Sequence, residues 1–145
     1  MHLSRYPYVS SNDLLEHEFI SEGPKGCIKK IVRYQKIGDN LYNLGFGDID
    51  EITSEMNDMV VTNNNDSTKV LATVVATLYA FTFQYPNVSV MAVGSTPART
   101  RLYQMGISKF RKIICVDFEV FAFQNGRVEP FVPSRNYESF LVLRK

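Results

Sequence analysis

Apolar and polar residues change rhythm twice along this chain. From Cys27 to Ile37 (CIKKIVRYQKI) β-branched residues dominate both alternating sets, which predicts a strand. The turn Gly38–Asn40 leads to a second strand, Leu41–Asp48, whose glycines suggest a bulge or a close backbone approach. A third strand is expected over Glu55–Asn63, so that the three form an antiparallel meander. Ahead of them, Ser11 or Asn12 can cap a short helix over Asp13–Phe19, and the GPKG turn at Gly23–Gly26 follows.

The first change comes after NNNDSTK. From Thr68 to Gln84 apolar residues occupy nearly every helical face, as in a buried helix, with Asp66 or Ser67 as its N-cap. Then Val88–Val93 (VSVMAV) is a continuous apolar run of strand length, the pattern of a strand covered on both faces. Strand Glu55–Asn63, the helix and this strand therefore predict a right-handed βαβ unit. The second change is at GSTPARTRLYQMGI. Ser95 or Thr96 caps a helix, Pro97 suits its first position, and Gly106 ends it after about Met105. Late strands follow over Lys112–Phe123 and Arg127–Phe131, joined through the Asn125-Gly126 hairpin dipeptide. The fold class is α/β (α+β): one domain over residues 1–145, with a mixed, twisted sheet of about six or seven strands and two main helices.

Composition narrows the function classes. With 145 residues, 45% hydrophobic and 21% charged, the chain has the make-up of a soluble globular domain. A net charge of +1 selects no partner by bulk electrostatics, so a nucleic-acid site would have to be a local patch. No apolar run reaches membrane-spanning length and the start lacks a signal-peptide core, which places the protein in the cytoplasm. Cys27 and Cys115 lack metal-ligand spacing and read as buried free thiols.

The candidate chemistry centres on the second helix start. Two arginines, Arg99 and Arg101, stand in its first turns against the helix dipole, and an anion nearby would account for them. With Ser95 and Thr96 they outline an anion-binding turn over Gly94–Arg101. The anion is either a ligand phosphate or an internal carboxylate such as Asp48, Asp50 or Asp58. Ser67 and Lys69, at the first helix start, form a second anion candidate, without Walker spacing. Tyr103 lies one turn beyond Arg99 and can serve as a proton donor or simply pack. The aspartates have no diagnostic spacing for a metal, and His2 and His17 are isolated, so no metal site is expected. Lys29, Lys30 and Arg33, with aromatics on the same strands, are the residues a single-stranded nucleic-acid site would use.

Two resemblances add to this reading. SEGPKGCIKKIVRYQ, YNLGFGD, NNNDSTKVLATVVATLYAF and GSTPARTRLYQMGI are similar to the phrases of an uncharacterised bacterial family, mostly from Bacteroidota, a domain of unknown function. That resemblance spans nearly the whole chain and implies a cytosolic single-domain protein with no assigned activity. More loosely, the order of elements resembles the GNAT-type acetyltransferases. There a β-meander, a helix on the CoA pyrophosphate, a parallel strand and a second helix precede a closing hairpin. The resemblance implies acetyl-CoA as cofactor and Tyr103, in Leu102-Tyr103 before Gly106-Ile107, as general acid. Thr96 stands where that superfamily has asparagine, and the turn before the first helix has no glycine. The leading expectation is a binding or regulatory module for an anionic small molecule or a protein partner. An acyltransferase comes second and a nucleic-acid binder third.

Overall fold

The structure is a computed structural model that describes residues 3–50, 52–57 and 63–145. The strands are β1 (Tyr8–Ser10), β2 (Glu16–Gly23), β3 (Gly26–Gly38), β4 (Leu41–Ile49), β5 (Met56–Asn57), β6 (Ser89–Ala92), β7 (Phe118–Gln124), β8 (Arg127–Pro130) and β9 (Ser139–Arg144). The helices are α1 (Ser67–Gln84), α2 (Pro97–Lys109) and α3 (Arg111–Asp117). The strands join in one open sheet in the order β1-β2-β3-β4-β6-β9-β7-β8, with β5 paired to β4. Among the described residues only β4 and β6 run parallel; every other pair is antiparallel. The α+β class is as expected, with nine strands and three helices among the described residues where fewer of each were anticipated.

Several local expectations are overturned. Asp13–Phe19 forms no helix: the Asp13 carboxylate accepts from Leu15 N–H in a turn, and Glu16–Gly23 pairs along β3 instead. Two-residue alternation wins there, because His17, Phe19 and Ser21 point inward while Glu18, Ile20 and Glu22 face solvent. The apolar run starting at Lys112 begins as helix α3 and becomes strand only at Phe118. Gly106 does not end α2. It sits within the helix, where a Cβ would come within 3.2 Å of Leu71 Cδ2, so it brings α2 close to α1. The third meander strand is described only at Met56–Asn57; residues 58–62 of that expectation, with Asp58, lie outside the described residues, as does His2. Strand β6 pairs in parallel with β4 rather than with β5, so the crossover through α1 links β4 to β6. Nor is β6 covered on both faces: Val90 and Ala92 are buried while Ser89 and Met91 are half-exposed. Cys27 and Cys115 are free but exposed, not buried.

The hairpin at Asn125-Gly126 forms as expected, with φ of 51° and 74° at the two residues. One face of the sheet supplies the core. Val32, Tyr34, Leu44, Phe46, Val90, Ala92, Val120, Ala122, Phe140 and Val142 are buried there against α1, α2 and α3. The threonines of α1 organise this packing. Thr73, Thr77 and Thr82 each donate at 2.7 Å to a carbonyl of their own helix, of Lys69, Val74 and Leu78. Each hydroxyl then accepts from another element: Tyr6 N–H at 3.0 Å, the Tyr34 hydroxyl at 2.9 Å and Arg144 Nε at 3.0 Å. Residues of modest helix propensity thus satisfy buried polar groups and tie α1 to the chain around it.

Candidate functional site

The first turns of both long helices open on one side of the molecule. At α2 the Thr96 hydroxyl accepts from Arg99 N–H at 3.2 Å, and Pro97 takes the first helical position, as the sequence predicts. The turn before it is tight: a Cβ on Gly94 would lie 2.2 Å from the backbone nitrogen of Thr100. At α1 the N-cap residue Asp66 makes no cap hydrogen bond. Its carboxylate accepts instead from the Tyr6 and Ser21 hydroxyls, both at 2.5 Å. The first-turn N–H groups of α1 are therefore left without a side-chain cap, at the positive end of an 18-residue helix.

Between these starts lies an open cavity of about 1010 Å³. Ser67 and Thr68 of α1, the Gly94–Thr96 turn, and Arg101 and Lys109 of α2 line it. The far wall is the segment carrying Asn136 and Tyr137, which Gln104 holds to α2. Gln104 donates to Arg135 C=O and accepts from Tyr137 N–H. Glu138 is the carboxylate on this lining, and its Oε1 accepts from Asn125 N–H.

The expected site residues divide. Ser67, Ser95, Thr96 and Arg101 meet on this cavity. Lys69 does not join them: its ammonium lies 4.3 Å from the centre of the Tyr6 ring. Arg99 is 2% exposed and turns inward, its guanidinium 4.5 Å from the centre of the Phe46 ring. Its Nη2 is buried with no hydrogen-bond partner. The Tyr103 hydroxyl donates to Leu44 C=O at 3.3 Å, and its ring meets Phe46 edge-on.

Of the aspartates considered as partners, the two within the described residues, Asp48 and Asp50, have partners of their own. Asp48 pairs with the buried Lys30, and Asp50 accepts from the N–H groups of Ile52 and Thr53 in a turn. Those two bonds hold the Asp50 carboxyl below the usual carboxylate range. The basic cluster on β3 is divided by strand alternation: Lys30 lies in the core face, while Lys29 is exposed and Arg33 pairs with Glu16 at 2.8 Å. Among the described residues, no three His, Cys, Asp or Glu side chains gather as a metal site. Ser108 and Lys109 were missed because the helix was expected to stop near Met105, and Gln104 because its partners, Arg135 and Tyr137, are distant in sequence. Arg101, Gln104 and Ser108 follow helical spacing, so a longer helix would have shown one polar stripe.

A family model matches residues 2–145, and its description is a family of unknown function, DUF6934. The chain belongs to that family. No curated protein and no solved structure matches the chain. The DUF6934 match covers the cavity and both helix starts, and no helix among the described residues is long and apolar enough to cross a membrane.

Proposed function

We propose that this protein is a cytoplasmic binding or regulatory module that holds an anionic, phosphate-bearing small molecule in the cavity between the starts of α1 and α2. The observation that carries this reading is the uncapped start of α1. Its N-cap carboxylate is turned away to Tyr6 and Ser21, and its first residues, Ser67 and Thr68, border the cavity that Arg101 and Lys109 also line. Free N–H groups at a helix start, with basic side chains opposite, are a phosphate-binding arrangement. A volume of about 1010 Å³ suits a nucleotide-sized ligand better than a bare ion. Pyrophosphate and acetyl-CoA should each raise the melting temperature, and the Arg101→Ala, Lys109→Ala double variant should lose that shift while folding normally. A ligand at 100 times its Kd adds about 2.7 kcal/mol, a shift of several degrees for a domain of this size. No shift with either compound would end this reading.

The strand order supports a second reading, acyl transfer from acetyl-CoA. The order β2-β3-β4-β6-β9-β7, with a parallel pair at its centre, resembles that of the GNAT-type acetyltransferases. Tyr103 meets the sheet at Leu44, where that pair ends, as a general acid of such an enzyme would. Release of free thiol from acetyl-CoA in the presence of amine acceptors, abolished by Tyr103→Phe, is the result this reading requires. Pyrophosphate and acetyl-CoA binding with no thiol release under any acceptor would leave the module non-catalytic.

A further inference from the structure

The parallel pair ends at Leu44 and Ala92, beyond which β4 stays paired with β3 on one edge and, among the described residues, next pairs on the other edge with β5 at Asp48. The next residues on each side, Gly45 and Val93, border a cavity of about 100 Å³. Arg99 and Tyr103 reach it from α2. Arg33, Gln35 and Asn43 border it from the sheet face opposite the core, since Tyr34 and Leu44 between them point inward. The cavity is thus a window in the sheet with its mouth on the outer face.

Arg99 gives the window its chemistry. It is 2% exposed, and its Nη2 is a buried donor without a partner, a rare condition that calls for an explanation. The Phe46 ring supports the cation but supplies no acceptor. Arg99 also borders a second cavity on the helix side, together with Lys30 and Asp66. There the Asp66 carboxylate already supplies negative charge. No carboxylate lines the window among the described residues, while two arginines and two side-chain amides do.

We propose that this window is a binding site for the carboxylate of a small organic acid, which accepts hydrogen bonds from Arg99 Nη2 and from the Gln35 and Asn43 amides. Charge and bulk decide between anions. A carboxylate has about four lone-pair positions on two oxygens, which one guanidinium edge and two amides can fill. A phosphate dianion would bring a second negative charge and more bulk into a space of only about 100 Å³. The rest of the ligand projects over the open outer face, where Gln35 is exposed. This site lies across the sheet from the large cavity and is independent of what that cavity holds.

The test is proton–nitrogen NMR of the whole chain, following the Gln35 and Asn43 side-chain amides and the Arg99 Nε–H during titration. The probes are acetate, succinate, acetamide as a neutral mimic, and inorganic phosphate. Saturable shifts of all three signals with acetate or succinate, and none with acetamide, are expected. Gln35→Leu and Asn43→Leu, both outside the core, should each weaken binding about tenfold or more. Arg99→Met should abolish it; if that variant does not fold, the two outer-face variants still decide. Arg101→Ala with Lys109→Ala should leave carboxylate binding unchanged. The proposal is overturned by no saturable shift at tens of millimolar carboxylate. Equal shifts with acetamide, tighter binding of phosphate, or shifts unaffected by the outer-face variants would overturn it as well.

Discussion

A few side chains in this molecule sit where their chemistry is constrained on every side. His17 is fully buried on β2, its Nε2–H donating to Leu14 C=O at 2.8 Å and its Nδ1 accepting from the Ser10 hydroxyl at 2.7 Å. That pattern suits the neutral ring, and burial holds its pKa below the usual histidine value. The unfolded chain therefore binds the proton more readily as pH falls through about 6.5. His17's contribution to stability is present above that value and is lost progressively below it. Urea midpoints measured from about pH 7 down to about pH 5 should fall, and His17→Gln should flatten that part of the slope. Gly94 is constrained sterically, because a side chain there would strike backbone rather than a movable group. Gly94→Ala should cost about 1–3 kcal/mol in chemical unfolding. A cost near zero would mean that the turn has room to open.

At the scale of elements, α2 was the most legible in outline and the least so in extent. Its Thr96 cap and Pro97 start could be read because both act through local backbone chemistry. Thr96→Ala should cost about 1 kcal/mol, and circular dichroism should show the loss confined to stability rather than to helix content. Its end could not be read, since Gly106 is an ordinary stop signal in isolation and a packing position only when Leu71 is beside it. For the same reason β2 looked like a helix start: Ser11 and Asn12 are good cap residues, and pairing with β3 outweighed them. The lysines and arginine of β3 formed a cluster in sequence and separate onto opposite faces once the strand is pleated.

For the whole molecule, the sheet path runs unbroken from β1 to β8, and α1 bonds to the segment before β1, to β3 and to β9. These ties predict one cooperative unfolding transition. Far-ultraviolet dichroism and tyrosine fluorescence should give coincident midpoints, and two separated transitions would show that the halves unfold independently. The sequence alone determined the α+β class, the buried helix over Thr68–Gln84, the cap of α2 and the Asn125-Gly126 hairpin. Each rests on a periodicity or on backbone preferences within a few residues. It also marked Ser67, Ser95, Thr96 and Arg101, although nothing local said that they share a cavity. Only the tertiary structure decided that β6 lies beside β4, that Asp66 turns from its own helix to Tyr6 and Ser21, and that the two arginines part. Arg101 faces the large cavity while Arg99 is buried against Phe46. Those outcomes depend on contacts between residues far apart in the chain, where burial and pairing outweigh any local preference.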